Sequence, residues 1–131
     1  MKTRLEEDVD ALVAAHPNAR VFVLPDGRTT AIELTEHPLP PGWTKATTNV
    51  LWLLDPGYPA VRPDCFWIDD DARSPPGSNP VNTQIQEAPP GSGQMRRWVS
   101  WHIEWRPAVH DLQVWLDSIN CSLREATGRV P

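Results

Sequence analysis

Cysteine, serine and histidine side chains are the first places to look for chemistry in this chain, and they are few. An accessible thiolate is the strongest nucleophile a protein offers, and the chain has two cysteines. Cys65 sits in Asp64-Cys-Phe-Trp67 on an expected strand, and Cys121 lies between Ile119 and Leu123 on an expected helix. Both read as small buried hydrophobes, since free cysteine is among the most buried residue types. They form no CxxC pair, which points to reduced intracellular thiols rather than a disulfide framework or a zinc site. Serine offers an alternative. Its hydroxyl is a poor nucleophile until a base takes the proton, and His102 stands two residues after Ser100. Residues two apart share a face of an extended strand, so Ser100 as nucleophile and His102 as base are the candidate catalytic pair. The competing reading has Ser100 as a cap or a solvated hydroxyl.

Other groups carry weaker signals. His102, Glu104, His110 and Asp111 are ligand-type residues, but their spacing matches no closed zinc pattern, so neither a metal nor a cofactor is expected. His110 reads as solvent-facing on a helix, away from its apolar stripe. Asp69-Asp-Asp71 reads as a solvated loop entrance, with docking of a basic surface as the alternative. Trp43, Tyr58 and Trp101 are the candidates for a partner surface, because Trp, Tyr and Arg concentrate where interfaces carry their energy. Against that, Trp43 could cover the core edge, and Trp98, Trp101 and Trp105 could pack as a lid.

These residues need elements to position them. Thr3-Arg-Leu-Glu6 has the form of a capping box, and Leu5, Val9, Leu12, Val13 and His16 line one helical face until Pro17 stops it. Arg20 to Leu24, the turn Pro25-Asp-Gly-Arg28, and Thr29 to Leu34 read as strand, turn and strand. Asn49 to Leu54 is an apolar strand whose unbroken run from Val50 suits burial on both faces. Pro56 and Pro59 break it at Asp55-Pro-Gly-Tyr-Pro59, and a further strand begins near Asp64. From Asp69 to about Arg97 proline, glycine and polar residues dominate, so this stretch reads as one long loop, functional or mobile. Pro107 suits the first turn of a last helix, with Val109, Leu112, Leu116, Ile119 and Leu123 as its buried stripe and Gly128 at its end. The expected fold class is α+β: an N-terminal helix, a four-stranded antiparallel meander, a long Pro-rich loop and a C-terminal helix.

Composition narrows the function classes. At 131 residues, 40% of them apolar, the chain is expected to form a single domain over 1–131 with a core of its own. A net charge of −5 argues against nucleic acid or an anionic membrane as partner. No apolar run approaches the length of a membrane span, and the acidic N-terminal stretch does not read as a signal peptide, so a cytoplasmic location is expected.

Leu39-Pro-Pro-Gly42, Leu54-Asp-Pro-Gly-Tyr-Pro59, Pro63-Asp-Cys-Phe-Trp67 and Trp105-Arg-Pro107 carry a resemblance in their order and spacing. Over roughly Ala19 to Leu123 the chain resembles the ubiquitin-conjugating-enzyme-like (UBC-like) fold, and more closely its prokaryotic family E. The resemblance implies a place in a bacterial ubiquitin-like modification pathway, with antiphage defence as a setting. Its implied partners are a ubiquitin-like protein, an adenylating (activating) enzyme and a deconjugating metalloprotease. In the resembled fold a His-Pro-Asn motif follows the fourth strand, and the nucleophilic cysteine lies shortly before the tryptophan matching Trp105, near Arg97 here. This chain has neither in that place. Asn79 or Asn82 could stand in for the oxyanion-stabilising amide of the resembled family. Two functions stay open: a conjugating-enzyme-like transferase with a non-cysteine acceptor, and an inactive binding or scaffold module for the ubiquitin-like protein and its enzymes. A plain structural domain that only imitates the family is a third.

Overall fold

Thr3 opens the first helix in the way its sequence predicts. In the computed structural model of the chain, residues 1–74 and 83–128 are described, the last three by backbone alone. Helix α1 spans Arg4–Ala15; Thr3 Oγ1 accepts from the Glu6 N–H at 3.1 Å, and Glu6 Oε1 accepts from the Thr3 N–H at 3.2 Å. His16 caps the other end, its N–H donating to the Leu12 carbonyl at 2.8 Å before Pro17 forbids another turn.

Six strands follow among the described residues: β1 (Ala19–Val23), β2 (Thr30–Pro38), β3 (Thr47–Leu54), β4 (Phe66–Asp69), β5 (Thr83–Glu87) and β6 (Met95–Val99). They form one antiparallel sheet in the order β1-β2-β3-β4-β6-β5. The expected four-stranded meander is not the whole sheet: β1 to β4 are neighbours in sequence order, and two further strands extend it beyond β4. Part of the stretch read as a long loop over about 69–97 is the β5–β6 hairpin, and β6 pairs with β4 over Phe66↔Val99 to Asp69↔Arg96. Polarity hid these strands: Thr83-Gln-Ile-Gln-Glu87 has a single apolar residue, and in Met95-Arg-Arg-Trp-Val99 two adjacent arginines interrupt the apolar positions. Residues 75–82 of this stretch, with Asn79 and Asn82, lie outside the described residues.

Helix α2 (Leu112–Gly128) starts later than Pro107 suggests. Residues 107–109 form a turn, and Asp111 caps the helix by accepting from the Val114 N–H at 3.0 Å. Val109 therefore falls outside the stripe and is 69% exposed, while Trp115 joins Leu112, Leu116, Ile119 and Leu123 inside. Both helices lie on one face of the sheet. There Val9 and Leu12 of α1 and the α2 stripe pack with Ile32, Leu34, Val50, Trp52, Leu54, Phe66 and Ile68.

On the opposite face Leu51 and Ala31 are covered by Leu24 and Ala88, with Phe22, Leu53 and Trp67 alongside. Strand β3 is thus buried on both faces, as its continuous apolar run requires. Beside this small cluster lies a buried ion pair. Arg96 Nη2 meets Glu33 Oε2 at 2.5 Å, Arg96 Nε donates to the Ala88 carbonyl at 2.8 Å, and Arg20 Nη1 reaches Glu33 Oε1 at 2.8 Å. These partners let a strand containing Arg96 and Arg97 run through the interior of a sheet.

Candidate functional site

The corner between β3 and β4 anchors the candidate site. Asp55 Oδ1 accepts from the Gly57 N–H at 2.8 Å, and the Asp55 carbonyl accepts from the Tyr58 N–H at 2.9 Å, a short turn of the kind Asp favours. A Cβ on Gly57 would come within 2.8 Å of Val61 Cγ2, so any larger residue there would push the exposed Val61 side chain aside. The corner projects Tyr58 inward, where its hydroxyl donates to Asp8 Oδ2 at 2.5 Å. Burial, and then that bond to Asp8, push the Tyr58 hydroxyl pKa far above its ordinary value. Arg4 braces the same carboxylate at 3.0 Å and donates to the carbonyls of Pro107 and His110.

The segment 100–106 runs across this corner as a strap between β6 and α2. Trp105 Nε1 donates to the Pro59 carbonyl at 2.8 Å, and its ring lies 5.8 Å from that of Tyr58. Trp101 Nε1 reaches Ser118 Oγ at 3.3 Å, and Arg62 Nη1 reaches the Ile103 carbonyl at 3.5 Å. The Cys65 N–H donates to the Trp101 carbonyl at 2.7 Å. Two separated motifs, the Tyr58-Pro59 corner and Trp105-Arg-Pro107, therefore meet in space.

Each candidate residue now has a place. Ser100 is half-buried and His102 exposed on the strap, and among the described residues no hydrogen bond joins them. Trp43 and Tyr58, the candidates for a partner surface, are buried in the free chain: they are 8% and 5% exposed, and Trp43 Nε1 donates to the Leu123 carbonyl at 3.3 Å. The proline turn before Trp43 folds its ring back over the end of α2 rather than out to solvent. Trp101 is half-buried, packed against the core through the bond that ties it to α2.

His110 is neither on the helix nor solvent-facing: its Nδ1 accepts from the Arg106 N–H at 3.0 Å, and its ring stands edge-on to Trp105 at 5.5 Å. Asp69 lies within β4, and Lys45 neutralises it at 2.8 Å and Asp71 at 3.0 Å. Among the described residues no group of three or more His, Cys, Asp or Glu is placed to hold a metal ion.

The cysteines depart from expectation. Cys65 is only half-buried and adopts φ of 62°, a left-handed conformation that costs a non-glycine residue energy. The bond from its N–H to Trp101 holds it there. Burial first, and the neighbouring Asp64 carboxylate as well, raise the Cys65 thiol pKa, so the protonated form is favoured. Cys121 is exposed on the outer side of α2, where Arg124 Nη2 approaches its sulfur at 3.2 Å. The apolar neighbours Ile119 and Leu123 suggested burial, but they sit on the face of the helix that turns away from Cys121. The position near Arg97, where the resembled fold carries its cysteine, is inside the sheet. The Arg97 guanidinium is buried and donates to the carbonyls of Ala72 at 3.1 Å and Asp70 at 2.9 Å.

An α+β domain with both helices on one face of an antiparallel sheet, and a Tyr-Pro corner clasped by a tryptophan strap, fits a conjugating-enzyme-like (E2-like) fold. The chain belongs to prokaryotic E2 family E, whose sequence model matches residues 7–126. No curated protein and no solved structure matches it. Among the described residues, no helix is long and apolar enough to cross a membrane.

Proposed function

We propose that this conjugating-enzyme-like protein holds a ubiquitin-like protein delivered by an adenylating enzyme, and that it holds it without a cysteine thioester. One observation carries the reading: Cys65, the thiol beside the strap, has its pKa raised by burial and faces Asp64. A thioester enzyme needs the opposite environment, one that favours the thiolate. Noncovalent holding fits best, with the protein presenting the ubiquitin-like partner to its activating enzyme and to a deconjugating metalloprotease. Antiphage defence is the setting that the family implies. A second reading, an oxyester on Ser100 with His102 as base, is favoured by one feature: the half-buried Ser100 hydroxyl is not engaged in any hydrogen bond among the described residues.

The test is intact mass spectrometry of the protein incubated with its cognate ubiquitin-like protein, the adenylating enzyme and ATP. Holding predicts tight binding and no mass increase. An adduct that resists thiol reductant, yields to hydroxylamine and disappears in Ser100→Ala would establish the oxyester instead. An adduct released by reductant would overturn both readings, and Cys65→Ser against Cys121→Ser would then locate the thioester.

A further inference from the structure

Strand β1 is an outer edge of the sheet, and the devices that could keep it from pairing are few: it is short, and the charge of its Arg20 is already held by Glu33. It contains no proline, its register with β2 is unbroken from Ala19↔Leu34 to Val23↔Thr30, and α1 stands beside it across an open groove. Its backbone parity can be read from one bond. The Leu24 N–H donates to the Thr29 carbonyl at 2.9 Å, so Leu24 and Thr29 form a hydrogen-bonded pair in the antiparallel ladder. Such pairs alternate. Phe22 and Arg20 therefore turn their backbone groups towards β2, and Val21 and Val23 turn theirs outward.

The same two residues present their side chains. Val21 is opposite Ile32, so both valines point to the helix side of the sheet, yet they remain 40% and 60% exposed. Between them and α1 lies a groove of about 280 Å³ lined by Leu5, Val9, Val21 and Val23. Glu6, Asp10 and Lys2 stand at its rim, with Lys2 already paired to Asp10, which leaves the rim net negative.

We propose that β1 is a docking edge for an extended segment of a protein partner, added antiparallel as a seventh strand to the six already present. The segment has apolar residues at alternate positions, facing the groove, and a basic residue flanking them. Backbone bonds to Val21 and Val23 would supply affinity, and the groove would select the alternate side chains. The acidic rim, in a chain of net charge −5, selects a cationic flank and disfavours a second copy of this chain, whose own Glu6 and Asp10 would face these. This inference does not depend on whether the protein forms an adduct, and its test uses neither the ubiquitin-like protein nor ATP.

The probe is the synthetic peptide acetyl-Lys-Val-Thr-Val-Thr-Val-Lys-amide, with two controls: the same peptide N-methylated at alternate residues, and one with Glu in place of Lys. Binding is followed by fluorescence anisotropy and amide hydrogen exchange. Strand addition predicts that the Val21 and Val23 amides exchange quickly in the free protein and become protected by the peptide, while Phe22 and Leu24 are protected throughout. Both controls are expected to bind at least about tenfold more weakly, the loss of about 1.4 kcal/mol that one or two hydrogen bonds or an ion pair supply. Val21→Pro removes only an outward donor, a position where a strand tolerates proline, and should abolish protection at Val23. Val23→Lys provides the same test by charge and bulk if the proline variant folds poorly. Failure of the parent peptide to bind, or binding without protection at Val21 and Val23, overturns the proposal. Protection that grows with protein concentration alone would overturn it in favour of self-association.

Discussion

The two faces of the sheet differ at their centres. The centre of the helix face is apolar: Trp52, Trp115, Phe66, Ile32 and Ile68 are fully buried there, the indole N–H groups of Trp52 and Trp115 have no acceptor among the described residues, and the charge of Arg97, beside Ile68, is met by the Ala72 and Asp70 carbonyls. The outer face buries charge instead, with Glu33 3% and Arg96 7% exposed, both satisfied by each other and by the hairpin turn. The apolar centre tolerates unpaired indoles because ring burial outweighs one lost hydrogen bond. The polar face has no such reserve, because a single unpaired charge in it would cost more than the neighbouring apolar contacts return.

Three experiments should break or sharpen this contrast. The largest effect is expected from Trp115→Ala, which leaves a cavity between α2 and the sheet and should cost about 4 kcal/mol in denaturant unfolding. Trp115→Phe keeps most of the ring volume and removes a donor that has no acceptor, so its cost should be less than half as great. Equal costs would show that the indole N–H is engaged after all. Next comes Arg96→Met, which leaves Glu33 Oε2 unpaired and only Arg20 on Oε1, and should cost about 2 kcal/mol. Adding Glu33→Leu should recover stability to within about 1 kcal/mol of the parent, because an apolar pair of similar volume can replace a buried ion pair. If the double variant stays as unstable as the single, the pair positions the β5–β6 hairpin rather than merely cancelling its own desolvation.

The smallest effect concerns the corner. Tyr58→Phe loses a bond to a charged acceptor and should cost about 1.5 kcal/mol at neutral pH. The folded pKa of Tyr58 is raised by burial and by Asp8, so its contribution is fully present below the unfolded value of about 10 and is lost as pH rises above it. The stability gap between the parent and Tyr58→Phe should therefore close at alkaline pH. Tyr58 is the chain's one tyrosine, so tyrosinate absorbance reports it directly and should appear only on unfolding.

The contrast also explains what could be read early. The capping box at Thr3, the apolar run of β3 and the α2 stripe from Leu112 on are local patterns, and each was legible. Strand β6 was not, because Arg96 and Arg97 have polar side chains whose burial depends on Glu33, Ala88, Ala72 and Asp70, residues distant in the chain. The candidate site behaved in the same way. Motif order brought Tyr58, Pro59 and Trp105 into one family pattern, but nothing local announced that Trp43 and Tyr58 turn inward or that Cys121 turns outward. Cys65 had a signal of a different kind: its left-handed φ is enforced by the strap, and only the strap's position reveals it.

By itself, the sequence determined the α+β class, an antiparallel sheet between an N-terminal and a C-terminal helix, and the family. These follow from hydrophobic period, capping residues and proline placement, all short-range properties of the chain. Only tertiary structure decided the last two strands, the buried Glu33–Arg96 pair, the environment of each thiol and the open edge at Val21 and Val23. Each of those depends on which distant group arrives to satisfy a charge, fill a groove or leave a backbone donor free, and that is settled by packing.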